Sequence, residues 1–117
     1  ALGITTKERA QTYISNINKT INQGKQDKHI IGSNNYTEGR SYLTISKEKA
    51  QELINKYAGK GTLEFSDSGK WSKREIIYSD TIVGVAKSVT RGEHQTSAFK
   101  IHYSKNGTHI VPFWKEE

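Results

Sequence analysis

The 117-residue sequence contains no cysteine. Disulfide staples and thiolate metal sites are therefore excluded, and the redox compartment is left open. Apolar residues make up only 32% of the chain. The core they can form is modest but sufficient for one α+β domain of ordinary size. No apolar run is long enough to span a bilayer, and no signal-peptide pattern is present. The first residue is Ala1 and not Met, which reads as a domain carried behind a larger N-terminal parent protein. The usual catalytic signatures are missing as well. There is no Gly-x-Ser-x-Gly elbow, no Walker loop and no dinucleotide fingerprint. No two acids are paired as a glycosidase requires. No His-x-x-x-His or His-Glu-x-x-His spacing offers zinc a helical site. No cofactor is expected.

What the chain does have is positive charge. Lys and Arg outnumber Asp and Glu by 18 to 12, for a net +6, and they are spread along the whole sequence. A basic globular domain often has a polyanionic partner; the plainer alternative is a solubilising surface. Helical signals come first. Thr5 reads as a cap with Glu8 completing a capping box. Ala10, Tyr13, Ile14, Ile17 and Ile21 then follow at helical spacing, up to a stop at Gly24. A second helix is expected from Lys47 to Tyr57, capped by Ser46, with Ala50, Leu53, Ile54 and Tyr57 as its buried stripe. The stretch around His29 reads as a loop with a short strand or turn. From Gly61 the period changes to two. Strands are expected at Thr62–Phe65, Trp71–Tyr78 and Ile82–Lys87, then a polar loop at Thr90–Thr96, then a closing hairpin. Helices first and antiparallel strands after is an α+β order: two N-terminal helices on a sheet of four to five strands. Residues 1–24 read as a helical lead-in and 25–117 as the functional domain.

The closing hairpin is the most informative stretch. Asn106-Gly107 between two β-rich runs predicts a two-residue type I′ turn. That register sets Ser104 opposite His109, Tyr103 opposite Ile110, His102 opposite Val111 and Ile101 opposite Pro112. A one-residue slip would put His109 beside Tyr103. In the first register Phe99, Ile101, Tyr103 and Ile110 share an apolar face. Lys100, His102, Ser104 and His109 share the other. Two imidazoles, a hydroxyl and an ammonium on one face suit acid–base chemistry on an anion.

RNA is the anion that fits. It carries its own nucleophile, the 2′-hydroxyl. An enzyme has only to deprotonate it, protonate the leaving 5′-oxygen and stabilise the phosphorane. Imidazole, with an ordinary pKa near 6.5, can serve as either base or acid. The sequence supplies His29, His102 and His109 for this work. Lys25, Lys28, Arg40 and Lys100 are the candidate cations, and Ser41, Ser104 and Thr108 the candidate hydroxyls. Tyr36, Tyr103 and Trp71 could stack on a base, with a core role as the alternative. His94 sits in the polar loop and reads as a bystander.

The runs Lys25 to Tyr36, Gly39-Arg40-Ser41, Tyr57 to Gly61 and Ile101 to Pro112 together resemble the polymorphic toxin type 50 domain. That family is placed among the barnase–EndoU–colicin–RelE-like nucleases, at the C-terminus of bacterial toxins and phage minor head proteins. The resemblance implies helices on a four-stranded antiparallel sheet and a metal-independent ribonuclease. It carries over His29, Arg40, Ser41, His102, Ser104 and His109. The resulting expectation has His29, His102, His109 and Ser104 as catalytic residues, with Lys25, Arg40, Ser41, Lys100 and Thr108 holding the substrate. Products would be a 2′,3′-cyclic phosphate and a 5′-hydroxyl, with a bell-shaped pH profile between about 5.5 and 8. Secretion or virion delivery into a target bacterial cytoplasm is implied. An acidic immunity protein is expected over the basic cleft. The rival expectations are a binding module that holds nucleic acid or protein without cutting, and a toxin domain acting on a substrate other than RNA.

Overall fold

The computed structural model describes residues 6–30, 41–88 and 92–114. Their order is α1 Lys7–Asn16, α2 Gln23–Asp27, β1 Tyr42–Leu43, α3 Lys47–Tyr57, β2 Thr62–Phe65, β3 Trp71–Tyr78, β4 Gly84–Ser88, β5 Gly92–Thr96, β6 Ala98–His102 and β7 His109–Pro112. The strands form two antiparallel sheets. One has the order β1-β4-β5 and the other β2-β3-β6-β7. The α+β class therefore holds. The single sheet expected from the sequence is instead two, and the N-terminal helical stretch is divided. No helix among the described residues is long and apolar enough to cross a membrane.

α3 follows the sequence closely. The Ser46 side chain caps it by accepting from the Lys49 amide at 3.1 Å, and Ala50, Leu53 and Ile54 are buried. α1 begins one residue later than expected. Thr6 is its cap, accepting from the Arg9 amide at 3.2 Å, and Thr5 lies outside the described residues. The helix also stops at Asn16, well short of Gly24. Beyond it, the Asn18 side chain accepts from the Thr20 amide at 3.0 Å, a local bond that competes with helix. Gln51 of α3 then takes up the freed backbone, donating to the Lys19 carbonyl and accepting from the Ile21 amide. Gly24 falls inside α2, which is capped by Asn22.

The core joins the helices to the four-stranded sheet. Ala10 and Ile14 of α1, Leu53 and Ile54 of α3, Trp71 and Ile77 of β3, Phe99 and Ile101 of β6 and Ile110 of β7 form one buried cluster. Each fully buried Ile or Phe contributes roughly 1.5–3 kcal/mol. Beneath it lies a buried acid. Glu75 accepts from the amides of Gly59 and Gly61, at 2.9 and 2.7 Å, and from the Tyr103 hydroxyl at 2.6 Å. This ties the α3–β2 connection to the end of β6. A side chain at Gly61 would lie 2.3 Å from the Ile76 carbonyl oxygen, so only glycine fits there.

Two strands depart from expectation. Thr90–Thr96, read as a loop, supplies β5, which pairs with β4 from Gly84↔Thr96 to Ser88↔Gly92. Residues 89–91 lie outside the described residues. In the closing hairpin the pairs are Phe99↔Pro112, Lys100↔Val111, Ile101↔Ile110 and His102↔His109. The register is displaced by two residues, and Asn106-Gly107 is not a two-residue turn. The neighbouring backbone explains this. Thr108 pairs with the segment before α2, exchanging bonds with Thr20 and Asn22, and the Tyr103 amide donates to Lys73. The chain reverses through Ser104–Gly107, with the Gly107 amide on the Ser104 carbonyl at 3.1 Å and Gly107 at φ +116°. A shift of two preserves the faces. Phe99, Ile101, Tyr103 and Ile110 are buried as expected.

Candidate active site

Strand pairing builds the first half of the site. His102 ends β6 and His109 begins β7, so they stand directly opposite each other. Their ring centroids are 4.7 Å apart. Alternation points both away from Ile101 and Ile110. On the other flank of β6, Arg74 of β3 is the register partner of His102.

α2 builds the second half. Gln26 is fully buried, and its side-chain amide docks on the outer edge of β7. Nε2 donates to the Ile110 carbonyl at 2.9 Å, and Oε1 accepts from the Ile110 amide at 2.8 Å. This continues the ladder with a side chain and satisfies an edge strand. It also sets the rest of α2 beside the hairpin. The Lys25 ammonium donates to Ser104 Oγ at 2.9 Å, and Ser104 donates onward to the Gly107 carbonyl at 2.8 Å. His29, just past the helix, stacks nearly parallel to His109 at 5.8 Å between centroids. His29 Nδ1 lies 2.9 Å from the Ser41 carbonyl. A carbonyl only accepts, so Nδ1 carries the hydrogen.

Two adjoining cavities of about 250 and 340 Å³ share Lys25, Arg74, His102 and His109. The smaller adds Ser104, and the larger adds Lys28 and His29. Among the described residues, no carboxylate lines either one. Among the described residues, no group of three or more His, Cys, Asp and Glu is placed to hold a metal ion. Burial pushes the His109 imidazole down to about 3, helped by His102, His29, Lys25 and Lys28. Burial likewise pushes His102 down to about 4, with Arg74, His29 and Lys100 adding to it. Both rings are therefore neutral at pH 7. His109 Nδ1 is buried and has no hydrogen-bond partner among the described residues. A buried ring nitrogen without a partner is costly.

The sequence of this chain matches the family described as bacterial toxin 50 over residues 21–112. The chain belongs to the bacterial toxin 50 family. No curated protein matches it. In this toxin domain the three clustered histidines, Lys25 and Arg74 all lie inside the matched span.

The other sequence candidates are placed as follows. Ser41 contributes its carbonyl to His29, and its hydroxyl accepts from the Lys87 amide at 3.0 Å. Thr108 is fully buried and donates to the Lys19 carbonyl at 3.0 Å, so its hydroxyl serves the fold. Lys100 lines neither cavity. Its ammonium lies 2.8 Å from Glu64 and 5.3 Å from the Phe113 ring centroid. Arg40 and Tyr36 lie outside the described residues. Tyr103 and Trp71 are buried in the core. The polar-loop residue His94 is on β5 and stacks on Trp114. Sequence reasoning missed Arg74. The available signal was its place in β3, on the face opposite buried Glu75 and Ile77. Reading it needed the β3–β6 pairing.

Proposed function

We propose that this toxin domain is a metal-independent ribonuclease that cleaves RNA by attack of the 2′-hydroxyl. The observation that carries the reading is the facing pair His102 and His109, set with His29 in a cavity rimmed by Lys25, Lys28 and Arg74. The nuclease superfamily implied by the sequence resemblance agrees with it.

One neutral imidazole of the pair takes the 2′-hydroxyl proton. The 2′-oxygen attacks phosphorus, and the bond to the 5′-oxygen breaks. The other imidazole, protonated, gives its proton to that leaving oxygen. The products are a 2′,3′-cyclic phosphate and a 5′-hydroxyl. Each proton transfer typically contributes about 10²–10⁴-fold. Arg74, Lys25 and Lys28 offset the charge on the phosphorane. His29, oriented by the Ser41 carbonyl, is the third imidazole of the site. Ser104 orients Lys25, because its own proton is committed to Gly107. The low pKa values of the free site keep the base unprotonated, and the entering phosphate raises them toward the working pH. The bound phosphate supplies the negative charge that restores a proton to the acid.

In this reading residues 25–117 carry the nuclease and act inside a target cell. The basic cleft suits an acidic immunity protein, because opposite charge steers association. The test is an RNA oligonucleotide and its 2′-O-methyl counterpart, with products followed by ³¹P NMR. A cyclic phosphate from the first and no cleavage of the second supports the reading. Cleavage of both would rule out 2′-hydroxyl attack.

A further inference from the structure

The face of the four-stranded sheet that carries the histidines does not end at them. Along β6 the outward residues are His102, Lys100 and Ala98. Tyr78 pairs with Ala98 on one side, and the Phe113 amide donates to the Ala98 carbonyl on the other. Tyr78 and Phe113 therefore flank a small side chain. Their ring centroids are 6.0 Å apart, and Tyr78 is 51% exposed. Four residue steps along β6 separate Ala98, beside this pair, from His102, about 14 Å at roughly 3.4 Å per residue. Lys100 stands between, its ammonium near the Phe113 ring and bonded to Glu64. Glu64 also lies 3.8 Å from Arg74. With Arg74 and Lys100 against Glu64, the row keeps a net positive charge.

We propose that Tyr78 and Phe113 form a base-stacking subsite for the same single RNA strand whose scissile phosphate sits among the histidines. The inference rests on the ribonuclease reading. An exposed tyrosine beside a half-buried phenylalanine on a sheet face, continuous with a basic row, is an arrangement that receives unstacked bases. Aromatic rings accept any base, and the cation beside them follows the backbone. Two of the aromatic candidates named from the sequence, Tyr103 and Trp71, face the core instead. The subsite acts on affinity and on substrate length, and its contribution is absent for a substrate too short to reach it.

The test uses the intact chain, with Tyr78→Ala and Tyr78→Phe. Affinity for a 2′-O-methyl RNA octamer is measured by fluorescence anisotropy, and cleavage is measured on an RNA octamer and on a dinucleotide. Removing one stacking ring is expected to weaken octamer binding about ten- to a hundred-fold. The Phe variant should bind like the parent, and dinucleotide cleavage should be unchanged. Unchanged octamer affinity in Tyr78→Ala would overturn the proposal. So would an equal loss on the dinucleotide. The two readings fail separately. Loss of octamer affinity in a protein that cuts nothing would support the subsite and sink the ribonuclease. Full cleavage with no effect at Tyr78 would do the reverse.

Discussion

The side chain of Gln26 and the backbone of Ile110 exchange two hydrogen bonds, at 2.9 and 2.8 Å, in a fully buried setting. This contact joins α2 to the hairpin and so joins Lys25 and His29 to His109. Gln26→Ala leaves a buried amide and carbonyl unpaired and is expected to cost about 2–4 kcal/mol. Gln26→Glu keeps the shape but replaces the donor with an acceptor facing the Ile110 carbonyl, so it should be at least as damaging. Urea unfolding checks both. A change below about 0.5 kcal/mol in Gln26→Ala would show that the contact does not hold the helix.

The depressed histidines predict a dependence of stability on pH. His102 and His109 titrate at about 4 and about 3 when folded, against about 6.5 when unfolded. Between these values the unfolded chain binds more protons than the folded one. Stability is therefore full above pH 6.5, falls as pH drops through that window, and stops falling below about 3. The His102→Ala/His109→Ala variant should flatten this slope, as read by urea midpoints from pH 7 to 4. The same values move activity. The kcat/KM profile reads the free enzyme, so it should lie on the acid side of the range from 5.5 to 8 that ordinary imidazoles give. The kcat profile should sit at higher pH, because bound phosphate favours the protonated ring.

The cations are expected to divide into two classes. Arg74 and Lys25 line both cavities, and Arg74→Ala or Lys25→Ala should lower kcat by roughly 10²-fold or more. Lys100 is engaged by Glu64, and Lys100→Ala should change kcat by less than about 5-fold, in line with a surface ion pair. Steady-state kinetics on one RNA substrate decides this. Equal losses at Arg74 and Lys100 would contradict the assignment.

Much of this was legible in the sequence, for physical reasons that differ by element. α3 was readable because cap, stripe and exit all agree locally at Ser46, Leu53 and Gly59. The polar face of the hairpin was readable because a shift of two leaves side-chain alternation untouched, so His102 and His109 kept their side while gaining each other as partners. Their direct opposition was not readable. It follows from Thr108 pairing with Thr20 and Asn22, a contact between distant parts of the chain. β5 was hidden because Gly92–Thr96 has no apolar period and becomes a strand by pairing with β4. The Gln26 docking was hidden because a polar residue in a charged run gives no sign of burial.

Glu75 gives a prediction for the scaffold. Its carboxylate accepts three hydrogen bonds below the site. Glu75→Gln replaces one accepting oxygen with a donor and should cost about 2–4 kcal/mol. Tyr103→Phe removes one bond and leaves the carboxylate the two amide donors, so about 1–2 kcal/mol is expected. Chemical unfolding of the two variants and their double mutant measures the coupling. Burial and the Glu75 carboxylate both push the Tyr103 hydroxyl upward, so Tyr103 should show no phenolate absorbance until the protein unfolds in alkali.

The facing histidines are proposed to cut RNA. The most direct measurement is incubation of the purified chain with total RNA in excess EDTA, beside the His102→Ala/His109→Ala variant shown by circular dichroism to be folded. Cleavage by the parent and none by the variant is expected. Cleavage by both, or loss of the parent's activity to the chelator, would contradict the proposal.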